Sequence, residues 1–209
     1  MIKELFLASL NNYSADQALN DSLWREITDK YSGSKRYYHT LLHLEHLTAE
    51  LIQFKDHFRS WDTIVFSIVY HDIVYNALKK NNEEKSAGYA EKILHAIHYS
   101  HAETEHCKAI ILATKNHQVN DDKEINLFTD ADLSILGSPQ PVYVNYAKQI
   151  RKEYSIYPDF MYRPGRQKTL NHFLQMKRIF KTDAFFNKHE AQARVNLQHE
   201  SVLLTEGAI

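Results

Sequence analysis

The chain has 209 residues, of which 44% are apolar and 13 are histidine, but it has only 5 glycines and 4 prolines. The apolar share is enough to bury a core and excludes disorder as the main state, while so few glycines and prolines argue against a sandwich, a barrel or a glycine-rich nucleotide fold. The 25 basic and 26 acidic residues nearly cancel to a formal net charge of -1, which gives no sign of a nucleic-acid or membrane surface.

Cysteine use and the first residues predict a protein of the cytoplasm. The single cysteine, Cys107, excludes an internal disulfide framework and fits a reducing compartment. No segment reaches the roughly 18 apolar residues of a membrane span. Met1–Leu10 contains Lys3 and Glu4 and lacks a cleavage pattern, so we expect no leader and no membrane association.

Helical periodicity dominates the chain from its first third onward. Leu19 to Ile27 form an amphipathic stretch after Ser14 and Asp16, which are suitable N-caps, and Gly33 ends it. Further helices are predicted over Thr40–Phe58, Trp61–Val74, Glu83–His98, Glu103–Lys115, Val142–Tyr154, Thr169–Phe180 and Glu190–Leu204. Trp61–Val74 is the most uniformly apolar of these and should be buried on most sides.

The breaks between these stretches are short. They lie at Ser32–Ser34, Gly137–Pro139 and Tyr157–Gly165, and none is long or polar enough to be an interdomain linker. The sequence therefore predicts one all-α domain over residues 1–209.

Three histidines cluster at the start of the predicted helix Thr40–Phe58. His39, His43 and His46 are spaced i, i+4 and i+7, so on a helix they share one face. Imidazoles one turn apart can bind the same cation or bracket the same substrate. The alternative is an amphipathic helix whose polar face is rich in histidine.

A His-Asp pair, His71-Asp72, ends the most apolar predicted helix. A buried carboxylate without a partner is costly, and a divalent cation would supply that partner. The alternative is that the helix reaches solvent at Tyr70, which the polar Asn76 downstream would also allow.

Two later segments add polar groups to apolar helices. Thr114–His117 closes one of them, and Thr129–Ser134 contains Asp130 and Asp132 on different helical faces, which predicts different roles. Asp130 could be a helix N-cap. Asp132 is followed by apolar residues and is harder to explain as a surface residue.

The order His … His-Asp … Asp, spread over helices, resembles the HD superfamily of metal-dependent phosphohydrolases. Tyr38–His43 is similar to the Tyr-His-Asn-x-x-His signature of the cyclic-nucleotide phosphodiesterase branch, and Ala131–Ser134 resembles its Ala-Asp-Leu-Ser. The arrangement, with Asn82–Ala87 and Glu190–Leu197, looks closest to small bacterial proteins described as predicted HD phosphohydrolases. This match spans nearly the whole chain and implies an HD-type helical bundle.

The resemblance also implies roles for single residues. The expected metal ligands are His43, His71, Asp72 and Asp132, and His39 matches the histidine that protonates the leaving oxygen in the phosphodiesterase branch. The general HD pattern Arg-x-x-His-Ser/Thr fits Arg36–Thr40 as well and would make His39 the ligand instead. We prefer His43, because the two-histidine signature accounts for both histidines.

The remaining expected site residues surround the metal. Glu83 or Glu84 is expected to orient the attacking water, although acids at a helix start also favour the macrodipole. A substrate phosphate is expected to meet Lys115, His117, Arg163 and Arg166. The lysine that often follows the doublet is missing, since Ile73-Val74-Tyr75 stand there.

The metal expected is one divalent ion among Mn, Mg, Fe, Co, Ni and Zn. There is no adjacent His-His pair later in the chain, so a second ion is left open, with His117 or one of His95, His98 and His101 as its ligand. Those last three are more readily explained as solvated polar positions.

The expected function is hydrolysis of a phosphate ester of a nucleotide or related small metabolite. Metal-activated water would attack and His39 would act as general acid. Two alternatives remain: a non-catalytic metal- or nucleotide-binding regulatory module, and a metal-dependent oxygenase, which would need two irons and further ligands. The expected partner is a phosphorylated small molecule rather than a nucleic-acid polymer, and a homodimer is left open.

Overall fold

The computed structural model describes residues 1–206, which form ten α-helices and two 3₁₀ segments. The helices are α1 (Ile2–Asn11), α2 (Gln17–Tyr31), α3 (Leu41–Ile52), α4 (Trp61–Tyr70), α5 (Asn82–Ala96), α6 (His101–Ala113), α7 (Lys123–Asp132), α8 (Gln140–Glu153), α9 (Asp159–Gln175) and α10 (Asp183–Glu206), with 3₁₀ segments at Lys55–His57 and Leu133–Gly137. No strand occurs in residues 1–206, so the prediction of an all-α fold is confirmed. Within the same range, no helix is long and apolar enough to cross a membrane.

The chain divides into two compact units, residues 1–129 and 130–209. The first contains α1 to α6 and most of α7. The second contains the last residues of α7, the second 3₁₀ segment and α8 to α10. That residues 1–209 form one domain stays a prediction.

Helix α4 is the centre of the first unit and packs against α1, α3, α5 and α6. Its hydroxyl cap, Ser60, accepts a hydrogen bond from the Thr63 backbone N–H. Every residue from Thr63 to Tyr70 is buried, as the uniformly apolar sequence predicts. The helix ends four residues earlier than expected, because the chain turns at His71 and Asp72.

Helix α1 was not among the predicted helices. Its buried residues Ile2, Phe6 and Leu10 recur every fourth position, so the helical signal is present in the sequence. Phe6 meets Phe66 of α4 edge to face, with ring centroids 6.1 Å apart. This contact seals the side of α4 that faces α1.

Helix α10 organises the second unit by packing on the Leu133–Gly137 segment, α9 and α8. The Asn196 side-chain amide donates to the carbonyl oxygens of Leu136 and Ser138, each at 2.8 Å. A Cβ atom at Gly137 would lie only 2.5 Å from the Cβ of His189. Only glycine allows the two segments to approach this closely.

The predicted break at Tyr157–Gly165 is confirmed only at Tyr157 and Pro158, because α9 begins at Asp159 and continues through Pro164 and Gly165. Proline inside a helix removes one hydrogen bond and costs about 3 kcal/mol. Here the buried residues Tyr162, Arg166 and Leu170 are spaced four apart on one continuous face. Packing of that face outweighs the local preference of the two helix breakers.

Candidate metal centre

His39 and His43 lie at the N-terminal end of α3, but only His43 is part of the helix. The helix begins at Leu41, so His39 lies in the loop before it and His43 lies in its first turn. The prediction that both lie on one helical face is therefore wrong in its local geometry. Their rings still approach each other, with centroids 5.8 Å apart. The His43 side chain is buried, and that of His39 is 19% exposed.

His71 follows the last residue of α4 and is buried. Its Nδ1 lies 2.9 Å from the backbone carbonyl oxygen of Ile68. A carbonyl oxygen can only accept, so Nδ1 carries a proton, and in the neutral ring Nε2 presents its lone pair. When a histidine binds a metal through one ring nitrogen, a hydrogen bond of this kind from the other ring nitrogen fixes its tautomer.

His43, His71 and Asp72 bring three ligand atoms together in the first unit. The Nε2 atoms of the two histidines lie 3.1 Å apart, and Oδ2 of Asp72 lies 3.1 Å from Nε2 of His71 and 3.9 Å from Nε2 of His43. Ligands bonded to one cation at ordinary lengths are separated by about 3.0–3.5 Å. Two of the three separations fall in this range and the third, 3.9 Å, is longer, so the group suits a divalent ion in donor type and comes close to it in spacing.

The electrostatics of Asp72 keep its carboxylate ionised. Burial alone would raise the pKa of Asp72, but the imidazoles of His71, His39 and His43 outweigh it and hold the pKa well below its ordinary value. An ionised carboxylate beside two imidazole nitrogens is a donor set suited to Zn²⁺ and other transition-metal ions.

Arg36 ties the two chain segments of the centre together. Its guanidinium donates to the carbonyl oxygen of His39 at 3.0 Å and to those of Asp72 and Ile73 at 2.8 and 3.1 Å. It also lies over the ring of Tyr31, 4.6 Å from the centroid. No separate role is predicted for Arg36 from the sequence, although this residue is the first of the Arg-x-x-His pattern.

Asp130 and Asp132 do have different surroundings, as their spacing predicts. Asp130 is fully buried in α7, so it is not an N-cap. Its carboxylate accepts from the backbone N–H groups of Lys181 and Thr182 at 2.9 and 2.7 Å, and Lys181 Nζ lies 3.2 Å away. Asp132 is half-buried at the end of α7, in the second unit. Its role as a metal ligand stays a prediction.

The expected water-orienting and phosphate-binding residues of the first unit partly pair with each other. Glu84 in the first turn of α5 is exposed and forms an ion pair with Lys115, just after α6. Glu83 is half-buried in the same first turn. His117 has a positive φ of 51°, in the turn after α6. This placement leaves their predicted roles toward water and phosphate as predictions.

The two arginines expected to hold phosphate lie on α9 in the second unit. Arg166 is buried and donates two hydrogen bonds to Glu200, at 2.7 and 2.9 Å. Burial disfavours a charged guanidinium, but Tyr146 and Glu200 hold the pKa of Arg166 above its ordinary value. Arg163 is 35% exposed and lies 4.0 Å from Asp159. Arg166 is thus committed to an internal ion pair, whereas Arg163 is half-buried with Asp159 as a neighbour.

His and Asp groups suited to a metal ion are therefore present in the chain. Comparison with protein-family models, with curated proteins and with solved structures gives no match in any of the three.

Proposed function

We propose that the chain is a metal-dependent phosphohydrolase that cleaves a phosphate ester of a nucleotide or related small metabolite. The proposal is supported above all by the convergence of His43, His71 and Asp72, whose ligand atoms lie 3.1–3.9 Å apart. His43 and His71 are 28 residues apart in sequence and both are buried. Two imidazoles and a carboxylate meeting this closely serve a cation better than they serve packing.

His43, His71 and Asp72 would hold the ion, and Asp132 is proposed as a further ligand. A divalent ion bound there lowers the pKa of coordinated water and neutralises negative charge on a phosphoryl group. The Nδ1–H of His71 stays bonded to Ile68, which keeps the ring in place as charge changes around it.

His39 is the proposed general acid. Its Nε2 lies 3.8 Å from Oδ2 of Asp72, so it borders the ligand cluster without being hydrogen-bonded to that oxygen. Its ring stacks on Tyr75, with centroids 4.3 Å apart and planes 29° apart. The partly exposed imidazole can take up protons from solvent and deliver them to a leaving oxygen. Imidazole suits this task because its ordinary pKa is near 6.5.

The test has two steps on the purified chain. First, elemental analysis should find a divalent ion, and His71→Ala should contain less of it than the unchanged chain, while His101→Ala, which alters an exposed histidine on α6, should contain the same amount. Second, a panel of phosphorylated metabolites should be screened with that metal supplied. Turnover that requires the metal and disappears in His71→Ala supports the proposal. Bound metal without turnover of any phosphate ester would favour the regulatory module instead.

A further inference from the structure

A second group of metal-ligating side chains lies elsewhere in the first unit. It joins His106 on α6 to Asp122 and Glu124 at the start of α7. Their ligand atoms all lie within 4.8 Å of one another. His106 Nε2 is 3.3 Å from Oδ2 of Asp122 and 3.8 Å from Oε2 of Glu124.

These separations are near those of a small coordination sphere, since 3.3 Å lies within its range and 3.8 Å slightly above it. In a tetrahedral zinc site with bonds of about 2.0–2.2 Å, neighbouring ligand atoms are about 3.3–3.6 Å apart. One imidazole nitrogen with two carboxylate oxygens is a donor set for Zn²⁺ or Co²⁺ rather than for Mg²⁺ or Ca²⁺, which favour oxygen alone.

Glu124 supplies an independent sign that a ligand is missing. Its side chain is only 10% exposed. Oε1 accepts hydrogen bonds from the backbone N–H and the Nε of Arg59, but Oε2 is buried and has no hydrogen-bond partner. A buried carboxylate oxygen without a donor is costly, and it points to a cation that would satisfy it.

Arg59 shows where that cation would sit. Its Nη2 lies 2.9 Å from His106 Nε2 and 2.6 Å from Asp122 Oδ2. A guanidinium only donates, so His106 Nε2 already directs its lone pair at a positive charge. The Arg59 side chain is 60% exposed and can swing into solvent, while its backbone N–H can stay bonded to Glu124.

We propose that His106, Asp122 and Glu124 form a second divalent-metal site, of the Zn²⁺ class, which the Arg59 side chain occupies when the metal is absent. Metal and guanidinium compete for the same lone pairs, and metal binding releases Arg59 to solvent. The guanidinium carries one positive charge and the divalent ion carries two, so the ion neutralises both carboxylates when it replaces Arg59. The site is independent of the phosphohydrolase proposal and of the centre at His43.

The test measures Zn²⁺ binding by equilibrium dialysis, with Co²⁺ absorption as a report on tetrahedral geometry. Arg59→Ala should tighten one Zn²⁺ site by about fivefold, the gain expected from removing a competing ion pair worth about 1 kcal/mol. Arg25→Ala, which removes an exposed arginine on α2, is the matched control and should leave the isotherm unchanged. Equal isotherms for the two variants would overturn the proposal.

Loss of a ligand should have the opposite effect. In the Arg59→Ala background, His106→Gln should remove this site and its Co²⁺ spectrum, while His101→Gln on the same helix should keep both. His71→Ala should leave the site intact, which separates it from the other centre. Asp122→Asn provides the same test if His106→Gln does not fold. If both ligand variants bind as much Zn²⁺ as Arg59→Ala itself, the site does not exist.

Discussion

The Nε2 atoms of His43 and His71 lie 3.1 Å apart in the interior of the first unit. In His71, the Ile68 carbonyl holds a proton on Nδ1, so in the neutral ring the Nε2 that faces His43 is the lone-pair nitrogen. Without a cation, the pair is held only if His43 turns a proton toward that lone pair. With a cation, both nitrogens can bind it through lone pairs. This relationship makes the centre sensitive to metal in a way that ordinary core packing is not.

Metal should therefore stabilise the chain. A divalent ion at a hundred times its Kd raises the free energy of unfolding by about 2.7 kcal/mol. For a chain of this size, this corresponds to a Tm increase of about 5–10 °C. Chelator should reverse the increase. Differential scanning fluorimetry can measure it in the His106→Gln background, which removes the second proposed site, with His71→Ala expected to lose the response and His101→Ala to keep it. A full response in His71→Ala would place the stabilising ion elsewhere.

Arg36 should matter for metal affinity although it binds no metal. Its guanidinium donates to the carbonyls of His39, Asp72 and Ile73 at once, which a lysine cannot do with the same planar fork. We expect Arg36→Lys to weaken metal binding by about 10–100-fold, the usual effect of losing an outer hydrogen-bonding partner. Isothermal titration calorimetry can measure this against Arg25→Lys. Unchanged affinity would show that backbone packing alone fixes the centre.

Substitution of Asp130 should lower stability, whereas substitution of Asp132 should lower metal content. Burial lowers the pKa of Lys181, and the attraction of Asp130 opposes that effect. Asp130→Asn would leave this buried cation without its partner and should cost about 3–5 kcal/mol of unfolding free energy. Asp132→Asn should lower metal content at little cost in stability. Urea denaturation and elemental analysis, run on both variants, would contradict the assignment if Asp132→Asn were the unstable one and kept its metal.

The sequence predicts the composition of the centre better than its local geometry. The motif order gave His43, His71 and Asp72, and these three do meet. Placing His39 on α3 was wrong, because the Thr40 backbone is extended and the helix starts only at Leu41. Periodicity cannot show this, since the i, i+4 spacing is the same whether the first histidine lies on the helix or on a loop that folds over it.

Tertiary contacts explain what else was missed. Pro164 and Gly165 are strong local signals for a break, yet the buried face of Tyr162, Arg166 and Leu170 carries α9 through them. Arg166 looked like a surface cation available to phosphate, but its partner Glu200 is 34 residues away. No local pattern reveals a pairing over that distance. Conversely, the burial of α4 was predicted correctly, because its sequence is uniformly apolar, although the helix ends four residues earlier than expected.

His39 distinguishes an enzyme from a metal-binding module. If it is a proton donor and not a ligand, His39→Ala should keep metal content near the wild-type value and lower phosphoesterase turnover by about 10²–10⁴. His43→Ala should lose metal and turnover together, because its Nε2 lies within the ligand cluster. Steady-state kinetics with elemental analysis on the same preparations measure both effects.

The leaving group provides the control for this last prediction. The nitrophenolate leaving group of a nitrophenyl phosphate ester departs without needing a proton. The loss of turnover in His39→Ala should therefore be smaller for that substrate than for an alkyl ester. An equal loss for both esters would mean that His39 positions the substrate and donates no proton. If His39→Ala strips the metal while His43→Ala retains it, the two histidines exchange roles. If neither variant changes turnover above background, the chain binds metal without hydrolysing phosphate esters.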